Sequence, residues 1–269
     1  MRNLKGTKRW AKKQALKLAR SLGYKPVGPF RRHLSFDDAQ LLASSINAIL
    51  SLSLKPEDVL ATMHKIIALE KRMQGRIAGD IDDCILNYYM VLRSMCQTVD
   101  QEAVHAEIGV LFGGSLLIKL QALRDMGVNA FIVAIDPLDR YYEDFEDPVT
   151  CLPVTRQTVL ENISSAGFDI QQVVLFPTLS QNPNTIQAVR DMKLTTLYID
   201  GEHSYQGVRS DWEHYASLVI PGGFVLIDNY HDGYRGIDQF VDQDLRRQST
   251  HWRLAGSLGR SVVFERIND

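Results

Sequence analysis

The chain has 269 residues, 45% of them apolar and 23% charged, with a formal net charge of −2. That length suits one large α/β domain, or a core of roughly 150–200 residues with an appendage, and the composition is that of an ordinary globular chain. No apolar run approaches the ~20 residues of a membrane span. The N-terminus lacks the apolar core of a secretion signal. Cys84, Cys96 and Cys151 are few, odd in number and without metal-ligand spacing, which predicts a reducing, cytoplasmic setting.

The charge is uneven. Residues 1–36 hold eleven Lys or Arg and no acid, leaving nineteen bases against thirty-two acids in the remainder, a net of −13. A basic arm on an acidic body predicts either peripheral contact with an anionic partner, such as the inner face of a membrane, or docking on the body itself. Residues 7–22 fit a short helix with Ala11, Ala15 and Leu18 along one stripe, and residues 23–29 read as a linker.

Three helices follow. Ser35 with Asp38 makes a capping-box start for a helix to about Leu50. Pro56 with Glu57 and Asp58 opens a second, to about Met73. Asp80 or Asp82 caps a third, to about Cys96. The chain thus divides into a basic arm (1–34), a helical prefix (35–100) that serves as packing, lid or oligomer surface, and a core (101–269).

From Ala103 strands alternate with helices. Strands are predicted at 104–110, 129–136, 172–176, 194–199 and 224–227, with helices at 115–126, 155–166, 183–192 and 207–218. Pro221-Gly222-Gly223 reads as the turn before the fifth strand. Residues 252–257 and 261–266, parted by Gly259, read as a closing hairpin with an antiparallel final strand. The pattern predicts a mostly parallel sheet with right-handed crossovers. Between the second strand and the next helix lies an acidic, aromatic loop (139–152).

Three stretches carry chemistry. Glycines in Glu107-Ile108-Gly109-Val110-Leu111-Phe112-Gly113-Gly114-Ser115 let a ligand approach the backbone and the free N–H groups of a helix start; the spacing is not the dinucleotide fingerprint G-x-G-x-x-G. Asp136 ends the second strand, where a carboxylate accepts ribose hydroxyls. Asp200, Asp228 and Asn229 bring hard oxygen ligands to two strand ends, a set that suits Mg²⁺, and His203 stands three residues past Asp200 as a general base.

Together these residues resemble class I S-adenosylmethionine-dependent methyltransferases, most of all the small-molecule O-methyltransferases acting on sugars, macrolides and related natural products. The matching motifs are Glu107-x-Gly109-x-x-x-Gly113-Gly114-Ser115, Asp136-Pro137, Asp200-Gly201-x-His203-Ser204-Tyr205 and Leu218-Val219-x-Pro221-Gly222-Gly223-x-x-x-x-Asp228. The resemblance implies a Rossmann-like α/β fold with a seven-stranded sheet, helices on both faces and an antiparallel final strand. It implies that Glu107, Gly109, Gly113, Gly114 and Ser115 hold the methionyl part of S-adenosylmethionine, that Asp136 holds its ribose, and that Ser180, with Asp200 and Gly201, lies along the cofactor. It further implies Mg²⁺ on Asp200, Asp228 and Asn229, and His203 as base with Asp200 beside it. Asn229 replaces the second acid of many sugar and macrolide enzymes and makes the Asp-Asn pair similar to that of catechol and caffeoyl-type O-methyltransferases. Mg²⁺-assisted methylation of a hydroxyl on a small-molecule or glycan acceptor is the leading expectation. Metal-independent N- or C-methylation and a non-catalytic S-adenosylmethionine-binding subunit are the alternatives; no nucleic acid is expected.

Overall fold

In a computed structural model the described residues are 33–96, 103–139, 146–147, 149–246 and 251–267. The helix expected at 7–22, the linker at 23–29 and most of the aromatic loop, residues 140–145, lie outside them.

The prefix forms three helices, α1 (Phe36–Leu50), α2 (Pro56–Glu70) and α3 (Ile81–Met95). Each starts where its first turn supplies an acceptor. Ser35 Oγ accepts from the Asp38 N–H while Asp38 accepts from the Ser35 N–H, both at 3.1 Å; Asp58 accepts from the Lys55 N–H at 2.8 Å; Asp83 accepts from the Asp80 N–H at 3.2 Å. These bonds, reciprocal only at α1, satisfy N–H groups that a helix start leaves open. Ala39, Leu42, Ala43, Ile46, Ile49 and Leu50 form the buried stripe of α1, whereas α3 is buried almost all round. The helix carries Asp83, Asn87 and Ser94 inward along with its apolar residues. It packs between the outer two helices and the sheet, so the prefix and the core share one hydrophobic cluster.

The core alternates β1 (Val104–Ile108), α4 (Gly114–Met126), β2 (Phe131–Ile135), α5 (Arg156–Ser165), β3 (Val173–Phe176), α6 (Pro183–Val189), β4 (Leu194–Ile199), α7 (Tyr205–Tyr215), β5 (Val219–Ile227), α8 (Arg235–Gln239), β6 (Trp252–Leu258) and β7 (Ser261–Arg266). The seven strands lie in the order β3-β2-β1-β4-β5-β7-β6. β1 to β5 run parallel, and β7 pairs antiparallel with both neighbours. The expected α/β architecture, helices on both faces included, is therefore what forms. Side chains alternate between faces: Tyr198 and Leu226 join the cluster under α1–α5, while Leu197, Ile199, Val225 and Ile227 join a second cluster under α6–α8. Among the described residues no helix is long and apolar enough to cross a membrane.

Two segments differ from the sequence reading. β5 begins at Val219 and runs through Pro221-Gly222-Gly223, which the sequence assigns to a turn. Leu194 pairs with Val219 but Thr196 pairs with Phe224, so the Pro-Gly-Gly stretch is a bulge inside the strand. Gly223 permits it, since a Cβ there meets the Thr195 carbonyl at 2.6 Å. Residues 235–245, left without an element by periodicity, form α8 and a π-helical turn over Phe240–Leu245. With Ile237, its buried residues Phe240, Val241 and Leu245 fall at i, i+3, i+4 and i+8, the spacing of one helical face.

Candidate active site

The carboxyl edge of the sheet is a staircase of backbone hydrogen bonds. The residue after each parallel strand donates to the last residue of the neighbouring strand: Asp136 to Phe176 (3.2 Å), Gly109 to Ile135 (2.9 Å), Asp200 to Ile108 (2.8 Å) and Asp228 to Ile199 (3.0 Å). This ladder sets Asp136, Gly109, Asp200 and Asp228 in one row, although they come from four different loops.

Gly109 turns the chain with φ +88°, and a Cβ on it meets the Asp200 carbonyl oxygen at 1.9 Å. Glycine is required on both counts. Gly113 (φ +81°) is the N-cap of α4, and Gly114 lies so close to Ile77 that a Cβ falls 2.7 Å from its Cα. The α2–α3 loop thereby sits directly on the glycine turn.

His203 Nε2 lies 3.2 Å from Asp200 Oδ1, and its ring meets Tyr234 edge-on at 4.3 Å between centroids. Burial alone depresses an imidazole's pKa. Here the hydrogen bond that His203 donates to Asp200 and the charges of Asp200 and Asp228 outweigh it, so His203 is held above the ordinary histidine value. Asp228 is buried, with Oδ2 accepting from the Tyr198 hydroxyl at 3.1 Å and Oδ1 from the Asn229 N–H at 2.8 Å. Burial, and next the charge of Asp200, raise its carboxyl well above the usual carboxylate range. Asn229 takes a left-handed conformation (φ 62°), and its amide nitrogen donates to Asp232 at 3.3 Å.

A cavity of about 350 Å³ opens at this edge. Of the residues singled out in the sequence it brings together Gly109, Asp200, Gly201, His203, Asp228 and Asn229. Asp147 reaches it from the acidic loop after β2, and Arg76, Tyr234 and Arg260 reach it as polar residues that sequence reasoning missed. Arg76 pairs with Asp147 at 3.1 Å, closing the α2–α3 loop against the loop after β2. Arg260 comes from the β6–β7 turn and pairs with Asp232 at 2.8 Å. The Gly259-Arg260 turn is visible as a hairpin tip, but only the strand order returns it to the site.

The other predicted ligands face protein partners. Glu107 is fully buried, its two oxygens taken by the Ser115 hydroxyl and the Lys119 ammonium. Asp136 accepts from the Val110 and Leu111 N–H groups (2.6 and 3.1 Å) and from Leu138 (2.8 Å), tying the glycine turn to β2. Ser180 donates to Asp211 at 2.5 Å, and its carbonyl accepts from Tyr215.

Asp211 is itself a buried acid. Its Oδ2 has no hydrogen-bond partner among the described residues and lies 2.9 Å from where a Gly201 side chain would begin. Burial pushes its pKa from 3.8 up to about 6. Folding is therefore favoured while Asp211 is protonated, and that contribution, about 3 kcal/mol for a shift of this size, is lost as pH rises through about 6. Thermal melts of Asp211→Asn are expected to show a flatter loss of stability between pH 4 and 7 than wild type; an unchanged slope contradicts the assignment.

A parallel sheet of this order with one inserted antiparallel strand, a glycine turn after β1 and acids after β4 and β5, is the Rossmann-like methyltransferase fold that the sequence resemblance implies. Residues 106–230 match the family model of a methyltransferase domain. An uncharacterized protein of Acanthamoeba polyphaga mimivirus is 28% identical over 162 residues, which are 57% of this chain and 63% of that protein, so the chain spans less than two thirds of that relative. The fold is similar to that of the O-methyltransferase NovP, with TM-score 0.56 and 17% identity over 85% of this chain and 98% of NovP. It is also similar to an O-methyltransferase from Bacillus cereus in complex with SAH, with TM-score 0.50 and 13% identity over 87% of this chain and all of that one.

The residues fit the groups this class uses. Gly109 and Gly201 border the cavity without side chains, which leaves backbone open to a cofactor. Asp200, Asp228 and Asn229 offer oxygen donors, and the mutual repulsion of the two acids suits a hard cation. Among the described residues no three His, Cys, Asp or Glu side chains gather as a metal-holding group; the third donor here is an amide.

Proposed function

We propose that this chain is an O-methyltransferase that transfers a methyl group from S-adenosylmethionine to a hydroxyl of a sugar or natural-product-like small molecule, with Mg²⁺ assistance. The observation that carries the reading is His203 held on Asp200, beside Asp228 and Asn229, in a single cavity at the cofactor edge of the sheet.

The chain's own groups divide the work. Gly109 and Gly201 border the donor, while Glu107, Ser115 and Asp136 act on it through the turn they shape. Gly113 and Gly114 let that turn enter α4. Ser180 acts at the far end through Asp211. Asp200, Asp228 and Asn229 hold the cation. When bound, S-adenosylmethionine supplies the electrophilic methyl, and Mg²⁺ lowers the pKa of the acceptor hydroxyl as a Lewis acid. His203 takes the hydroxyl proton. With Nε2 turned to Asp200, the basic lone pair is on Nδ1. Because the methyl would pass from sulfur to the acceptor oxygen and leave a neutral thioether behind, no residue of the chain would be needed as a general acid. The walls from Arg76, Tyr234 and Arg260 hold the acceptor in line, an arrangement that contributes several kcal/mol to barrier lowering.

Turnover of wild type is expected to collapse in EDTA and to return with Mg²⁺, and Asp228→Ala is expected to lose about 10²-fold or more. Near-normal rates in EDTA or in Asp228→Ala overturn the metal part and leave metal-independent methyl transfer. The basic arm (1–34) is proposed to hold the protein against an anionic surface, outside the chemistry.

A further inference from the structure

A polar seam crosses the otherwise apolar layer beneath the site. Glu107 on β1 is in register with Tyr198 on β4, and Tyr198 with Leu226 on β5, two residues before Asp228. Strand alternation puts Glu107, Tyr198 and Asp228 on the same face, the one covered by α3 and α4. There Lys119 comes down from α4 and pairs with Glu107, both side chains fully buried. Its ammonium also stands 4.6 Å from the centroid of the Tyr198 ring, within cation–π range. The Tyr198 hydroxyl then donates to Asp228 Oδ2 at 3.1 Å. Contact is thus continuous from Ser115, at the start of α4, through Glu107, Lys119 and Tyr198 to Asp228.

Stability is a poor reason for this seam. A buried ion pair repays its desolvation only partly, and apolar residues of the same volume serve a core as well or better. Fully satisfied polar networks, in contrast, fix orientation. Tyr198 is pinned by Lys119 on its ring, and Asp228 by Tyr198 on one oxygen and the Asn229 N–H on the other. The carboxylate that faces the cavity therefore has little rotational freedom.

We propose that Tyr198, braced by the Lys119–Glu107 pair, is a positioning residue that presents the Asp228 carboxylate to a divalent cation. The inference rests on the cation reading of the site proposed above. Residues of this kind, which hold a ligand without touching the metal, change metal affinity by roughly 10–100-fold when altered.

The test is a calorimetric titration of Mn²⁺ into the full chain, wild type and Tyr198→Phe, with S-adenosylhomocysteine titrated separately. Phe keeps the ring under Lys119 and removes only the hydroxyl. The expected result is a 10–100-fold weaker Mn²⁺ affinity in Tyr198→Phe, with affinity for S-adenosylhomocysteine unchanged. Equal Mn²⁺ affinity in the two proteins overturns the positioning role while leaving the cation reading intact. Parallel loss of both ligands overturns it too, because it marks a general structural defect. Wild type that binds no Mn²⁺ overturns the cation reading and this inference with it. A thermal melt of Tyr198→Phe close to that of wild type confirms that the comparison is between folded proteins.

Discussion

Replacing His203 with alanine is expected to lower turnover by ~10²–10⁴-fold, the range a positioned general base contributes, while binding of S-adenosylmethionine is retained. The side chain is half-exposed at the cavity and is held at two points, by Asp200 on Nε2 and by the Tyr234 ring. Neither contact belongs to the hydrophobic core, and the imidazole is 31% exposed. Truncation therefore removes a proton acceptor and leaves the scaffold in place. Asp200→Asn is expected to reduce turnover as well, since the amide no longer orients the ring as a carboxylate does and weakens the cation site. A His203→Ala enzyme with near-wild-type kcat, or one that has lost the donor, overturns the base assignment.

Gly109→Ala is expected to cost on the order of 3–5 kcal/mol in urea unfolding, from left-handed strain and overpacking together. A methyl group there falls 1.9 Å from the Asp200 carbonyl oxygen, which is backbone and does not swing away. To admit it, the ends of β1 and β4 must part, and that breaks the Asp200-to-Ile108 hydrogen bond of 2.8 Å on which the edge is built. Gly127→Ala supplies the comparison. Gly127 has φ +66° with nothing within 4 Å of a new Cβ, so it bears only the conformational penalty of about 1–2 kcal/mol. Equal losses at the two positions contradict the close approach at Gly109.

The elements of this chain were legible because their causes are local. Capping acids at Ser35–Asp38 and Lys55–Asp58, and apolar runs that stop at Gly109, Asp136, Asp200 and Asp228, depend on neighbours a few residues away. The bulge at Pro221-Gly222-Gly223 was not legible, since a Pro-Gly-Gly run is also what a turn uses, and only the partner strand at Thr195 distinguishes them. The helix and π-helical turn at 235–245 carry only four buried residues, Ile237, Phe240, Val241 and Leu245, too short an apolar face to stand out without the sheet it packs on.

The same division runs through the site. Residue type and position at strand ends named Asp200, His203, Asp228 and Asn229 as a group, because a parallel sheet sends all such ends to one edge. What those side chains touch was decided across the fold. Glu107 meets Lys119 twelve residues away, Asp136 meets Val110 twenty-six away and Ser180 meets Asp211 thirty-one away. Arg76 arrives at the cavity from the α2–α3 loop and Arg260 from the β6–β7 turn. The sequence by itself determined the class of fold and the chemical character of the edge, since both follow from local pattern. Which acids face the cavity, which are consumed in holding the glycine turn, and which arginines close the walls were decided by the tertiary structure alone, because side-chain direction and long-range pairing are properties of packing.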